Sequence, residues 1–227
     1  MNARDSNNIA VVVAHPDDEV LAFGGTIARH AARGDTVRVL LLATGLTSRG
    51  EHDDAALETL RGQARRASEL LGAEPPMFAE FPDNRMDSVA LLDVVKTVEA
   101  FFEPAFPDVV FTHHGGDLNV DHGICARAVL TAARPLPGRP AARIYAGEVL
   151  SSSEYAAPAD RFVPNTYVDI AAHLEQKKAA LAAYEDEVRP FPHPRSPDAV
   201  EHLARLRGSE SGLEAAEGLQ LLRAVFS

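Results

Sequence analysis

The sequence predicts an α/β protein with a mostly parallel sheet and helices on both faces. Two observations carry this. Short, wholly apolar, β-branched runs mark strands buried on both faces, and strand and helix signals alternate for about the first 135 residues. Ile9–Ala14 is the first such run. A helix is expected from Asp18 to Arg33, with Leu21, Ile27 and Ala31 inward and Gly34 as its stop. Thr36–Gly45 reads as a second strand, Leu46–Asp54 as a polar loop and Ala56–Gly72 as a helix. Met77–Phe81 is a third strand and Val89–Phe102 the next helix. Pro107–His114 is another buried strand, followed by a helix from Val120 that Pro135 stops. Ile144–Leu150 and Thr166–Ile170 are later strands, and the tail from Ala171 reads as mainly helical. The Pro-rich segment "RPFPHPRSPD", Arg189–Asp198, reads as a surface loop between late helices.

Composition narrows the function. At 227 residues and 46% apolar, the chain can bury a sizeable core. A net charge of −11 argues against a general binder of nucleic acid or anionic membranes. One cysteine, Cys125, allows no intramolecular disulfide, and inside an apolar helix it reads as a small core residue. The opening "MNARDSNN" is polar and Ile9–Ala14 is too short for a signal-peptide core. No segment has the ~18 apolar residues of a membrane span. A soluble, cytoplasmic protein is expected, with its oligomeric state, including a homo-oligomer, left open.

The chemistry gathers at strand ends, where open α/β sheets bind ligands. In "VVVAHPDDEVLAFGG", a buried strand runs into His15, Pro16, Asp17, Asp18 and Glu19. Three adjacent carboxylates repel one another unless a cation offsets them. His15 and Asp18 lie three apart on a tight strand-to-helix turn, so both can face one point, and His122 in "GDLNVDHG" supplies a second imidazole. Two imidazoles and a carboxylate form a frequent catalytic zinc set that leaves a fourth position for water. Asp17 then stays free beside that water, in the place of a general base. The simpler reading is that the acidic residues only favour a helix N-terminus.

Together, "AHPDDE" after an apolar strand and "DLNVDH" about a hundred residues later resemble the LmbE/PIG-L superfamily of zinc-dependent N-deacetylases. The resemblance extends to "LRGQARRASELLG", "FPDNRMD", "PDVVFTHHGGDLNVDH" and Arg207–Gly218, and so covers most of the chain. It implies one deacetylase domain over residues 1–227, with a Rossmann-like α/β/α sandwich. It also implies one Zn²⁺ on His15, Asp18 and His122, with Asp17 as base. The implied substrate is a small N-acetylglucosamine-type amino sugar or its conjugate. Many members keep a histidine three residues before the last ligand, to stabilise the oxyanion or protonate the amine. This chain has Asn119 there, which can donate a hydrogen bond but no proton. His113 and His114 lie nearby. Strand alternation sends them to opposite faces, and His114, nearer the turn towards His122, is the expected replacement. His113 is expected to pack under the sheet edge.

Further residues carry weaker signals. Asp121 reads either as an N-cap or as a carboxylate orienting a histidine, and Asp117 as a turn residue. Arg61, Asn84 and Arg85 are candidates for sugar hydroxyls, against ordinary solvated or turn positions. Ser151–Tyr155 suits a turn or a substrate wall equally. His30, His52, His173, His193 and His202 show no ligand spacing. Two competing functions remain: the same centre could cleave another amide or an ester, or retain a metal and bind sugar without turnover. Phosphoester cleavage would favour a second metal or a basic phosphate cradle, and no Gly-rich anion loop appears.

Overall fold

The apolar run after Asn7 forms β1 (Asn8–Val13), with Ile9–Val13 fully buried. It pairs in parallel with β2 (Thr36–Ala43) on one side and β4 (Val109–His113) on the other. β3 (Met77–Phe81) extends the sheet beyond β2, and β5 (Arg143–Gly147) pairs in parallel with β4. The sequence order around the sheet is β3-β2-β1-β4-β5-β7-β6. The computed structural model describes residues 6–45, 54–138 and 142–226. The loop expected at Leu46–Asp54 lies almost wholly outside them, as does His52.

The last strand corrects the reading of the tail. β6 (Thr166–Asp169) is followed by α5 (Leu174–Ala182) and α6 (Pro197–Ser211), and then by a strand, β7 (Ala216–Arg223). β7 runs antiparallel between β5 and β6. "AEGLQLLR" is a poor strand signal, with Glu, Gly and Gln among its residues. Pairing to both neighbours and burial of Ala216–Leu219 decide its state.

Alternation along β1 divides the core into two layers. Ile9, Val11 and Val13 pack against α1 (Asp18–Ala32), α2 (Asp54–Leu71) and α5, in a cluster holding Phe23, Leu60 and Leu181. Ala10 and Val12 pack on the other face, against α3 (Leu91–Phe102) and α4 (Val120–Ala132), beside Val94, Val98, Phe102 and Val129. The result is a three-layer sandwich of the expected class.

A buried ion pair fastens α1 in place. Lys177 Nζ of α5 lies 2.6 Å from Glu217 Oε1 of β7 and donates to the Leu21 carbonyl at 2.8 Å. Glu217 accepts from the backbone N–H groups of Gly25 and Thr26, at 2.8 and 2.7 Å, inside the same helix. The N-terminal turn of α1 carries Asp17 and Asp18, so this anchor fixes the element on which the site is built. No helix among the described residues is long and apolar enough to cross a membrane.

Candidate metal centre

The site lies where β1 and β4 end side by side. β1 leads to β2 on one side while β4 lies on the other, so a crevice opens at their carboxyl ends. The chain leaves β1 through His15 and Pro16, and Asp17 takes φ 100° and ψ −27°, a left-handed conformation that side chains rarely adopt. Glu19 holds this turn: its Oε2 accepts from Asp17 N at 3.1 Å, and Tyr184 donates its hydroxyl to Oε1. The Asp18 side chain folds back, and Oδ2 accepts from His15 N at 2.8 Å.

Asp18 Oδ2 becomes the hub of the cluster. His15 Nδ1 lies 3.3 Å from it, and His122 Nε2, brought in by the first turn of α4, also 3.3 Å. His122 Nε2 is buried yet has no hydrogen-bond partner. A buried imidazole nitrogen left without a hydrogen bond, facing a carboxylate oxygen and a second imidazole, is the donor set of a metal ion. The three ligand atoms lie within 4.8 Å of one another, so one ion can reach them all. The residues present therefore fit a catalytic divalent cation of the zinc type.

A second triplet, His15, Asp83 and Asp121, is also close enough to hold an ion. The oxygens of Asp121 are already used: Oδ2 accepts from Asn84 N at 2.7 Å and Oδ1 from Met86 N at 2.9 Å. Asp121 Oδ2 also lies 3.1 Å from His15 Nε2. A carboxylate so placed can orient a ligating imidazole through its far nitrogen. Asp117 can do the same for His122, with Oδ1 3.1 Å from Nδ1. Asp117 is itself held by Asn119 N at 2.9 Å and by the hydroxyls of Ser152 and Ser153. Each candidate imidazole ligand thus faces a buried carboxylate.

Burial favours neutral rings here, but the carboxylates outweigh it. Asp121 and Asp18 push His15 up to about 10, and Asp18 with Asp117 pushes His122 up to about 9. Burial opposes charge on Asp18, and His122 and His113 overcome it, holding its carboxyl well below the usual range. Asp17 behaves in the opposite way. Burial holds its carboxyl well above the usual range, against the pull of the Arg195 guanidinium. Arg195 Nη1 lies 3.2 Å from Asp17 Oδ2 and 2.7 Å from Glu187 Oε2. A cavity of about 70 Å³ opens onto this arrangement, lined by His15, Asp17, Asn84, Asn119, Glu187 and Arg195 among others.

The structure thus brings His15, Asp17, Asp18, Asn119, Asp121 and His122 together. Asn119 is the N-cap of α4: Oδ1 accepts from Asp121 N, and Nδ2 donates to Asn84 Oδ1 at 2.8 Å. Asp121 therefore faces His15 and caps no helix. Asp117, expected as a turn residue, joins the centre. The two histidines of "THHGG" exchange their expected places. His113 is fully buried, stacks on His122 with centroids 3.8 Å apart and accepts from Ala14 N at 2.8 Å. His114 turns away, its Nε2 2.7 Å from the Asp160 carbonyl and its ring against Phe162, and it does not line the cavity. The physical reason is that β4 ends at His113, so its ring is the one aimed over the sheet end.

Of the three sugar-binding candidates, only Asn84 reaches the cavity. Arg61 pairs with Glu58 and Glu80 at 3.0 and 3.2 Å, beside the Phe78 ring of the sheet edge. Arg85 is exposed, and its carbonyl accepts from Ser88. The residues missed by the sequence reading are Arg195 and Glu187. Arg195 stands 178 positions from Asp17 in a segment that resembled an ordinary surface loop, and no spacing connects the two. The Ser151–Tyr155 turn proves relevant, since Ser151 Oγ accepts from Arg195 Nε at 2.9 Å.

An imidazole–carboxylate cluster able to hold a metal, at the crevice of a mostly parallel three-layer sandwich, is the kind of site that metal-dependent hydrolases use. The family described as PIG-L, GlcNAc-PI de-N-acetylase, matches residues 10–133, and the chain belongs to it. It is 30% identical over 230 aligned residues to the 1D-myo-inositol 2-acetamido-2-deoxy-alpha-D-glucopyranoside deacetylase of Saccharomonospora viridis, covering 78% of this chain and 84% of that protein. The fold matches N,N'-diacetylchitobiose deacetylase from Pyrococcus horikoshii, with a TM-score of 0.77 at 19% identity over 96% of this chain and 85% of the other. It matches 4-carboxy-2-hydroxymuconate hydratase from Pseudomonas putida KT2440 equally well, with a TM-score of 0.77 at 24% identity over 97% and 98% of the two chains. One fold therefore hosts both activities, and the choice between them rests on the site and the family.

Proposed function

We propose that this chain, acting as one domain, is a zinc-dependent N-deacetylase. It would hydrolyse the acetamide of a small N-acetylglucosamine-type amino sugar or conjugate to acetate and a free amine. The observation that carries the reading is the unpartnered His122 Nε2 facing His15 and Asp18, with a buried carboxylate beside it that is not one of the three. Zinc bound by His15, Asp18 and His122 would polarise the amide carbonyl and lower the pKa of a water towards ~7.

The protein's own groups supply the rest. Asp121 and Asp117 fix the two imidazoles so that one nitrogen of each faces inward. Asp17, held at the cavity wall by the Glu19 turn, takes the proton of the attacking water as oxygen bonds to the acetyl carbon. Burial makes Asp17 hold that proton more firmly than an exposed carboxylate would. It can then return the proton to the amine nitrogen as the C–N bond breaks, with no imidazole needed for the step. His114, turned to Asp160, takes no part in this route. Asn119 and Asn84, bonded to each other, form the wall nearest the sugar.

The same reading places the enzyme in the cytoplasm, in keeping with a lone buried thiol, and leaves room for a homo-oligomer. The decisive experiment is to screen N-acetylglucosamine conjugates for free amine and acetate, with zinc restored after chelation. Turnover that depends on zinc supports the reading. Metal binding without any amide hydrolysis would point to the sugar-binding alternative.

A further inference from the structure

Hydrolysis of an amide places negative charge on the carbonyl oxygen, and the imidazoles expected to meet that charge do not face the cavity. His113 Nε2 accepts the Ala14 N–H, so this ring carries its hydrogen on Nδ1, and the ring does not line the cavity. His114 faces the Asp160 carbonyl. Asn119 Oδ1 accepts from Asp121 N and one hydrogen of Nδ2 goes to Asn84 Oδ1, which leaves this amide a neutral donor with its second hydrogen. A charged donor, stronger than a neutral amide, stands in the same wall. Arg195 binds Ser151 through Nε and Asp17 with Glu187 through Nη1, while Nη2 has no protein partner among the described residues. Arg195 is also the sole guanidinium or ammonium group among the described residues that line the cavity.

We propose that Arg195 is a catalytic residue: Nη2 donates a hydrogen bond to the acetyl oxygen as it becomes an oxyanion, while Nη1 holds Asp17 against the cavity. The proposal rests on the deacetylase reading above. As the water oxygen bonds to the acetyl carbon, the C=O π pair moves onto the carbonyl oxygen, where Arg195 meets it without giving up a proton. When the pair returns, the C–N bond breaks and the nitrogen receives the proton held by Asp17. Acetate and amine leave, and Arg195 is unchanged. The structure supports a fixed donor at this place. Three anchored contacts leave the guanidinium little freedom, and a planar fork can serve Asp17 and the substrate oxygen together.

The test uses the zinc-loaded full chain and a conjugate that the wild type hydrolyses. Arg195→Ala should lower kcat by roughly 10²–10³-fold, the usual cost of one oxyanion donor, with KM little changed. A methylphosphonamidate analogue, whose tetrahedral anion resembles the addition species, should bind Arg195→Ala more weakly by the same factor as the loss in kcat/KM. Guanidinium ion should restore part of the rate of Arg195→Ala. Arg195→Lys, which keeps the charge and allows folding to be checked by melting temperature, should recover only part of it because its point charge cannot serve both partners. Near-normal kcat in Arg195→Ala, unchanged analogue affinity or absence of guanidinium rescue would each overturn the assignment. A wild type that hydrolyses no acetamide would instead overturn the deacetylase reading, and this proposal with it.

Discussion

Asp117 lies outside the candidate ligand set, yet its replacement by asparagine should weaken metal binding measurably. When His122 ligates through Nε2, its Nδ1 carries the hydrogen and faces Asp117 Oδ1 at 3.1 Å. That oxygen also accepts from Asn119 N at 2.9 Å and from the Ser152 hydroxyl, while Oδ2 accepts from Ser153. Asparagine keeps a single acceptor oxygen. If that oxygen takes the Oδ1 place, an NH₂ group meets the Ser153 hydroxyl, which can rotate to accept. The charge opposite Nδ1 is still lost. If the NH₂ takes the Oδ1 place, it opposes both the Asn119 N–H and the His122 N–H, and favours the tautomer that blocks Nε2. Either way the inward lone pair of His122 is less basic or less available. Replacing such a partner typically costs about 10–100-fold in metal affinity, or about 1.4–2.8 kcal/mol. Zinc affinity measured by competition with a chelating dye would show this. Activity of Asp117→Asn should return at saturating zinc more fully than that of His122→Ala. Equal zinc affinity in Asp117→Asn and wild type, with melting unchanged, would refute the claim that Asp117 tunes the His122 ligand.

Three further outcomes are expected. Asp17→Asn should retain its zinc and lose about 10²–10⁴-fold in turnover, the range for a general base; loss of zinc measured by elemental analysis would make Asp17 a ligand. Lys177→Met removes the cation paired with the buried Glu217 of β7, so it should cost about 3–5 kcal/mol and lower the melting temperature by roughly 6–20 °C. Lys177→Met/Glu217→Gln should lose less than the sum of the two single variants, and strict additivity by calorimetry would show that the pair is not coupled. Burial pushes the Cys125 thiol up to about 12, so iodoacetamide should label it at pH 8 only after unfolding, as read by mass spectrometry.

What the sequence determined by itself was local and periodic. Wholly apolar β-branched runs specify strands buried on both faces, so β1, β2 and β4 were legible. The tight spacing of His15, Asp17 and Asp18 around one turn is likewise a local property of the chain. His122 was legible through its motif, since α4 begins directly before it. The tertiary structure decided whatever depends on two distant segments meeting. β7 owes its strand to two antiparallel partners and not to its own residues. Which histidine of the "THH" run enters the cluster follows from where β4 stops pairing, one residue before His114. Asp117 reads as a turn residue until α4 sets His122 Nδ1 against it. Arg195 is the clearest case. A charged residue in a Pro-rich stretch belongs to solvent on sequence grounds, because charge is costly to bury alone. Folding brings it to Asp17 and Glu187, and nothing near Asp17 in the chain announces that meeting.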